Sequence, residues 1–228
     1  MRTAGINGVW LTLLSPLSDF QDGILEWKAN MFVVYRVSSS GRGMATAKTG
    51  SFYLTETVTL PAGSTTGVRV TGTIDLGAYV NVATGQAIAI DSVDFVLQVG
   101  SGYSGEVSNM VQSNGSLGFQ LTDLNPGTAF VRADNQSLIG SGTTNIDFAQ
   151  NLASEVADFY PDNYGTAGTL SEMFMVVNDT LYLTGGVNGT TTNAIDDLYI
   201  TARIRARVVK LGSKDWMALA LQSTASDN

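Results

Sequence analysis

The stretch "ITARIRARVVK", residues 200–210, combines strand-like alternation with a concentration of positive charge. Its arginines occupy every second position: Arg203, Arg205 and Arg207. Apolar residues lie between and after them: Ile204, Ala206 and Val208. Because successive side chains of a β-strand point to opposite faces, this pattern predicts a strand. One face carries the arginines, and the other lies on an apolar core.

The same period-two alternation recurs along the chain. Apolar and polar side chains alternate in "SFYLTETVTL", residues 51–60, and in "TGVRVTGTIDL", residues 66–76. Further β-rich runs stand at 9–14, 30–37, 93–99, 170–177 and 180–187, with a less regular one at 216–222. Turn signals such as "PAGSTTG" and "ATGQ" separate these runs at intervals of about ten to fifteen residues. The sequence therefore predicts an all-β, antiparallel jelly-roll sandwich, with residues 1–228 as a single domain.

One segment departs from this alternation, "NIDFAQNLASEVADFYP" at residues 145–161. Its large apolar residues are spaced like one face of a helix: Phe148, Leu152, Val156 and Phe159. Asn145 or Asp147 is suited to cap the start of a helix, and Pro161 to end it. We therefore expect one short helix inserted among the strands.

Turn-forming residues crowd between about residues 100 and 145, where "SGYSG", "SNGS", "NPG" and "GSGTT" follow one another. Loops run over the surface of a domain and tolerate insertion. We expect a loop-rich insertion in this range that forms an outward projection.

The composition excludes much of known enzyme chemistry. Among 228 residues there is no cysteine and no histidine, so neither a thiolate nucleophile nor a Ser-His-Asp triad can be built. Zinc sites are also disfavoured, because carboxylates alone rarely bind zinc. There is no Gly-rich phosphate loop and no Ser-x-x-Lys motif. The sequence predicts no enzyme activity, no metal, no cofactor and no small-molecule substrate.

Paired carboxylates are the only catalytic chemistry left open, as in glycosidases. Two groups of acids lie close in sequence. One is Asp91 with Asp94, and the other comprises Glu155, Asp158, Asp162 and Glu172. Twenty acids in a chain of this length produce such neighbours by chance, so solvated surface positions are the preferred interpretation.

The chain is acidic, with a net charge of −8, yet only 14% of its residues are charged, well below the usual quarter. A protein with so few charges is suited to covering part of its surface with neighbouring subunits. We therefore expect a homo-oligomer or an assembly with a related subunit. At the start of the chain, Asn7, Gly8 and Pro16 interrupt the apolar run, so we expect neither a cleaved signal peptide nor a membrane span.

The arginine row admits four interpretations. The arginines pair with acids on adjacent strands, bind carboxylates of another subunit, contact anionic lipid, or contact nucleic acid. Nucleic acid is disfavoured, because the net charge is negative and no aromatic residue between the arginines could stack on bases. We therefore predict no specific nucleic-acid binding and a role in stabilising the sheet or an assembly. The candidate interface residues are Arg203, Arg205, Arg207 and Lys210.

Two stretches carry a family resemblance, the strand-forming opening "MRTAGINGVWLTLLSPL" and the basic closing hairpin "ARIRARVVKLGSKDWMALALQ". With the short tail "STASDN" and the absence of Cys and His, the chain resembles the major capsid proteins of icosahedral, membrane-containing viruses of halophilic archaea. The resemblance implies a vertical single jelly roll, a virion location and capsomers shared with a second related capsid protein. It also implies a shell around a lipid vesicle that encloses DNA, hence contact with that membrane, and no catalytic residues.

A carbohydrate-binding β-sandwich is the alternative function. Its sugar platforms would be Trp10, Trp27 or Tyr103, although the two tryptophans lie in apolar runs typical of a core. A glycosidase that uses a carboxylate pair is the third hypothesis.

Overall fold

The computed structural model describes residues 2–6, 9–13, 45–101, 106–158 and 174–225. The chain divides into two compact units, Met1–Ser40 and Gly41–Asn228. In the first unit, β1 (Arg2–Ile6) pairs with β2 (Val9–Leu13) in an antiparallel ladder. The strand predicted at the apolar run that begins at Val9 is thereby confirmed.

The second unit is built almost entirely from strands. Its elements are β3 (Thr46–Ala47), β4 (Phe52–Leu60), β5 (Arg69–Asp75), β6 (Gln86–Val99), a 3-10 turn (Val107–Asn109), β7 (Gly115–Thr122), β8 (Leu138–Asp147), β9 (Leu152–Asp158), β10 (Phe174–Val176), β11 (Thr180–Asn188), β12 (Leu198–Lys210) and α1 (Ser213–Ala225). The alternating stretches that predicted strands at 51–60, 66–76 and 200–210 correspond to β4, β5 and β12.

These strands form two five-stranded sheets. In the front sheet the order is β10–β6–β12, and β12 pairs along its other edge with both β4 and β3. In the back sheet the order is β5–β11–β7–β8–β9. All of these pairings are antiparallel.

The order of pairing identifies the fold as a jelly roll. Four pairs are nested along the chain: β4 with β12, β5 with β11, β6 with β10, and β7 with β8. Successive pairs alternate between the front and back sheets, as they do when one long antiparallel ribbon wraps around a core. The predicted antiparallel jelly-roll sandwich is confirmed, with β9 as an additional strand beside β8.

The core lies between the two sheets. Ile200 and Ile204 of β12 are fully buried there, together with Leu117 and Leu121 of β7 and Leu183 of β11. Across the sandwich, the Phe95 ring of the front sheet contacts the Phe119 ring of the back sheet, with centroids 4.7 Å apart. Burying an aliphatic side chain of this size stabilises the fold by about 1.5–3 kcal/mol, so the core-facing alternates of each strand hold the register in place.

Gly142 of β8 lies opposite Phe119 of β7, and a Cβ at this position would overlap the Phe119 ring. We expect Gly142→Ala to lower the free energy of unfolding by about 1–3 kcal/mol, because the ring must leave its packed position. Urea denaturation checks this. The matched control is Gly50→Ala, where a Cβ would meet no atom within 4 Å; equal effects of the two substitutions would contradict the packing argument.

The helix predicted within residues 145–161 is wrong, because the described part of this segment is a β-hairpin. β9 pairs with β8 from Asp147 opposite Leu152 to Ser141 opposite Asp158. The turn between them is closed by Asp147, whose carboxylate accepts a bond from the Gln150 amide, and by Asn151 in the left-handed region at φ 52°. The apolar residues in this segment are spaced like a helix face because Phe148 lies in the turn and the apolar residues after it lie on a strand, β9.

The single α-helix of the described residues instead follows β12. The closing hairpin and the strand suggested at residues 216–222 are therefore wrong, because α1 occupies Ser213–Ala225. Its Ala, Leu, Met, Lys and Gln residues favour helix, and Asp215 lies in the first turn, where a negative charge is favourable. Trp216, Leu219 and Ala220 pack on a second apolar cluster around Val209 and Leu211.

The range from 100 to 145, expected to project outward, contains the back-sheet strand β7 and most of β8. Between them residues 123–137 form a loop, and the Gln120 side chain bonds the Val131 backbone of this loop through both its oxygen and its nitrogen. The projection itself stays a prediction. Within the described residues, no helix is long and apolar enough to span a membrane.

Candidate assembly surface

The arginine row lies on the outer face of the front sheet, as the alternation predicts. Ile204 and Ala206 are fully buried in the core and Val208 nearly so, while Arg203 is exposed and Arg205 is partly exposed. We call this side of the sheet, with the outward residues of β4, β12 and β6, the arginine face.

A β-bulge in β6 places a carboxylate beside the row. Arg205 lies opposite Ser92, whereas Ala206 lies opposite Ile90. Asp91 is therefore an extra residue of β6, with no residue of β12 opposite it in the ladder. A bulge of this kind shifts the alternation of its strand by one residue. The shift brings Asp91 onto the arginine face and keeps apolar side chains of β6 in the core on both sides of the bulge.

Asp91 is bound by three side chains. Arg207 donates through Nε to Oδ1 at 3.1 Å and through NH2 to Oδ2 at 3.0 Å, a two-pronged contact. The Ser51 hydroxyl donates to Oδ2 at 3.0 Å, and Arg205 Nε lies 3.6 Å from the same oxygen. The Asp91 side chain is only 3% exposed. Fork-shaped guanidinium–carboxylate contacts are among the stronger hydrogen bonds in proteins. We call this group, Ser51, Asp91, Arg205 and Arg207, the Asp91 cluster.

Arg203 has different surroundings. Its guanidinium carbon lies 5.7 Å from the centroid of the Tyr53 ring, and Tyr53 is 58% exposed. Arg203 lies opposite Asp94 on β6 and Thr55 on β4 in the ladder. Among the described residues, no carboxylate lies within ion-pair distance of Arg203. Arg203 therefore presents a guanidinium group to the outside.

The rest of the arginine face is polar on one side of the cluster and apolar on the other. Towards the start of β12, Thr57 and Thr201 lie opposite each other and their hydroxyl groups are 2.9 Å apart. Towards its end, the arginine row is continued by Val209, which is buried in the second apolar cluster, against which α1 packs. Lys210, the last residue of β12, is exposed but belongs to the opposite alternation. The face thus offers threonine hydroxyls, the Tyr53 ring, the Arg203 guanidinium group and the exposed Asp94 carboxylate for contact.

Of the four interpretations of the arginine row, pairing with acids on an adjacent strand is confirmed for Arg205 and Arg207. The subunit-interface interpretation stays a prediction, and on the arginine face the geometry concentrates it on Arg203, which Asp91 does not bind. Lys210 is exposed but shares the alternation of the core-facing residues of β12, so it does not lie in the arginine row. Contact with lipid and the absence of specific nucleic-acid binding also stay predictions.

The sequence contained a signal for the Asp91 cluster that the strand analysis did not use. In β6 the core-facing residues are Ile88 and Ile90, and then Val93 and Phe95. This change from even to odd positions marks the bulge, and Asp91 lies at the change. Asp91 is therefore a buried, paired acid and not the solvated one expected from the sequence. Asp94 is exposed, as expected.

The residues of the other two hypotheses lie largely outside the described part of the chain. Trp27, Tyr103, Asp162 and Glu172 are not in it, and the side chains of Trp10, Glu155 and Asp158 are not described. Within the described residues, no group of three or more acidic side chains could hold a metal ion.

Comparisons with known proteins give fold-level likeness at low identity. No family model matches the chain, and no curated protein matches it. A cryo-EM structure of Mud Crab Dicistrovirus is 16% identical, covering 92% of this chain and 87% of that chain, with a TM-score of 0.34. A structure of turnip yellow mosaic virus is 8% identical, covering 69% and 80%, with a TM-score of 0.30. One of Desmodium yellow mottle tymovirus is 11% identical, covering 85% and 98%, with a TM-score of 0.26.

Proposed function

We propose that the protein is a structural subunit of a viral capsid, located in the virion and without catalytic activity. The observation that carries the proposal is the nested jelly roll, whose arginine face presents Arg203 beside the Tyr53 ring and threonine hydroxyls. In this arrangement Asp91 binds two arginines internally, and the remaining one is available to a neighbouring subunit.

The charge distribution supports assembly. Only 14% of the residues of the chain are charged, so contacts over most of its surface would remove few ions from water, and desolvating ions is a main cost of burying polar surface. Arg and Tyr are enriched at protein interfaces, because both combine a large contact area with polar groups. The Arg203–Tyr53 pair fits this description.

The finer proposal follows the sequence resemblance. The chain would be a major capsid subunit of an icosahedral shell around a membrane vesicle, of the kind found in haloarchaeal viruses. It would assemble as a homo-oligomer, with a second related capsid protein, or both, and contact the internal membrane. The scarcity of charge and the jelly-roll fold are compatible with this role, and it implies no catalytic residue.

Analytical ultracentrifugation and electron microscopy of the full chain, at low and high salt, test the proposal. We expect regular oligomers that Arg203→Ala weakens at least about tenfold, because a guanidinium group engaged across an interface contributes about 1.5–3 kcal/mol. The matched control is Arg132→Ala: Arg132 is 89% exposed in the loop after β7, and should not affect assembly. A strictly monomeric chain at high concentration would contradict the proposal.

Flotation with anionic vesicles separates the lipid interpretation from the subunit interpretation. If Arg203→Ala leaves oligomers intact but abolishes flotation, the arginine face binds lipid rather than a neighbouring subunit. If it weakens oligomers and leaves flotation unchanged, the face is a subunit interface.

A further inference from the structure

A cavity of about 140 Å³ lies on the outer face of the back sheet, between β7, β8 and the loop of residues 123–137. Because Leu117 and Leu121 of β7 are buried in the core, the alternate residues Ser116 and Gly118 face outward. Thr143 of β8 lies opposite Gly118 in the ladder and shares this face. The described lining consists of five neutral polar residues, two glycines and two phenylalanines, and it contains no carboxylate.

Three hydroxyl groups of this lining have no hydrogen-bond partner among the described residues: those of Ser116, Ser141 and Thr143. All three residues are partly buried. Their oxygens nevertheless retain accessible surface, since the buried side-chain atoms that lack a partner in the described chain lie elsewhere. Each hydroxyl can donate one hydrogen bond and accept two. The cavity therefore offers several free and reachable hydroxyl groups to a ligand that carries hydroxyl groups of its own.

The Phe130 ring forms one wall of the cavity. Gln120 fixes the loop that carries it, because its Nε2 donates to the Val131 carbonyl and its Oε1 accepts from the Val131 amide, both at 2.9 Å. A Cβ on Gly118 would come within 2.9 Å of the ring, so the glycine leaves the space that the ring occupies. An aromatic wall beside polar groups suits a ligand with one apolar side and hydrogen-bonding edges.

A guanidinium group lies beside the cavity. Arg69 of β5 crosses β11 at Gly186, where a Cβ would overlap the arginine stem. Arg69 NH1 donates to the Val187 carbonyl at 2.8 Å, and NH2 donates to Asn188 Oδ1 at 2.6 Å. The guanidinium carbon lies 4.5 Å from the centroid of the Phe130 ring. Since Asn188 and Phe130 both line the cavity, this fixed positive charge stands at its edge.

Arg69 has no carboxylate at ion-pair distance within the described part of the chain. Its Nε has no partner there either, and it is not a buried atom. Burial lowers the pKa of the Arg69 guanidinium, which nevertheless stays protonated at neutral pH. A guanidinium group that is held in place without a counter-charge favours a ligand with a carboxylate, because the two form charge-assisted hydrogen bonds.

We propose that this cavity binds an acidic sugar, a hexuronate ring whose carboxylate pairs with Arg69 and whose hydroxyl groups bond to Ser116, Ser141 and Thr143. The C–H groups of the ring would lie against Phe130. A simple anion would leave the three hydroxyl groups without partners, and a neutral sugar would leave the guanidinium group without one. Because the cavity is far smaller than the roughly 300–1,000 Å³ of pockets for drug-sized ligands, we expect it to hold one sugar ring.

These residues differ from the sugar platforms considered from the sequence, Trp10, Trp27 and Tyr103. The proposal does not depend on the capsid function, because it concerns binding by the isolated chain. The cavity lies on the back sheet and the arginine face on the front sheet, so failure of this proposal would leave the assembly experiments unaffected.

An NMR titration of the full chain at neutral pH and low salt tests the proposal with three probes: D-galacturonate, D-galactose and acetate. We expect galacturonate to bind saturably. Galactose should bind at least about tenfold more weakly, because it lacks the carboxylate that forms charge-assisted hydrogen bonds. Acetate should show no saturable binding. Galacturonate should shift the amide signals of Ser116, Ser141 and Thr143 and the ring signals of Phe130, and leave those of the core unchanged.

Two variants separate the charge from the hydroxyl groups. Arg69→Gln should remove the preference for galacturonate over galactose, whereas Arg132→Gln, which removes the same charge from an exposed position, should preserve it. Thr143→Val should weaken both sugars by about two- to tenfold, because it removes a neutral hydrogen bond. Its matched control is Thr73→Val, an exposed position of β5 on the same face and outside the cavity, which should change neither.

Absence of galacturonate binding, or shifts outside the cavity, would overturn the proposal. Acetate or galactose binding as tightly as galacturonate would also overturn it, as would equal effects of the two threonine variants. Should Arg69→Gln fail to fold, the three probes and the location of the shifts in the unmodified chain decide the question. Tri-galacturonate then identifies the source of the ligand. Binding at least as tight as that of the monomer indicates a unit of a polysaccharide, and binding of the monomer alone indicates a free sugar acid.

Discussion

Replacing Arg207 with alanine is expected to lower the free energy of unfolding by about 3 kcal/mol. The Asp91 side chain is 3% exposed and would lose both of its contacts with the Arg207 guanidinium group. Ser51 would remain at 3.0 Å and Arg205 at 3.6 Å, which is too little to satisfy a buried carboxylate. Because Arg207 is itself 21% exposed, we expect a value at the low end for a broken buried pair. Urea denaturation at pH 7 measures it.

Arg203→Ala is the matched control, on the same strand and the same face. Arg203 contacts the exposed Tyr53 ring and, among the described residues, has no carboxylate at ion-pair distance. At a concentration at which the chain is monomeric, we expect a loss in the free energy of unfolding below about 1 kcal/mol. A double-mutant cycle between Arg207 and Asp91 should give a coupling energy of about 1–3 kcal/mol. Equal losses for the two arginine variants, with no coupling, would show that the Asp91 cluster does not stabilise the sheet.

Asp123→Asn is expected to raise the free energy of unfolding by about 2 kcal/mol at pH 8. Burial raises the pKa of the Asp123 carboxyl from 3.8 to about 6. The folded protein therefore holds this proton more tightly than the unfolded chain. The associated stability is fully present below about pH 4 and is lost as the pH rises through about 6. Because 6% of Asp123 is still exposed, we expect a gain in the free energy of unfolding smaller than the full pKa shift would give.

The advantage of the asparagine variant should therefore shrink as the pH falls from 8 to 4. Denaturation of both proteins at several pH values checks this. Asp179 and Tyr182 are the other titratable groups that line the same open pocket as Asp123. Asp179→Asn is therefore the control for the loss of a negative charge in that pocket. A difference between wild type and Asp123→Asn that stays constant with pH would contradict the assignment.

The sequence allowed the fold class to be predicted because core-facing alternation is a local signal. In β12, the positions of Ile204 and Val208 alone determine which face is buried. The pairing partners could not be predicted in the same way. Arg207 and Asp91 are separated by 116 residues, and nothing in the sequence near either residue specifies the other. The jelly roll was therefore predictable as a class, and its nested pairing was not.

The two errors in secondary structure have a common physical cause. Short apolar runs satisfy both helical and strand spacing, and tertiary contacts decide between them. The segment that contains Leu152 pairs with β8 and is a strand, whereas Trp216 and Leu219 pack as a helix on an apolar cluster. The candidate site was predicted in part: the direction of the arginine row is as expected, but the Asp91 cluster depends on a bulge.

The nesting of β4 with β12 has a consequence for the order of events during translation. β12 is the last strand of the described chain and is inserted between β6 and β4. Thr49 and Val208, which bond across this part of the fold, are separated by 159 residues. Contacts over such distances form late, because the loop must close first. A ribosome must therefore release β12 before the front sheet is complete, because, among the described strands, β6 and β4 are joined only through β12. Nascent chains cannot display the arginine face, so we expect association through that face to wait until β12 has been synthesised.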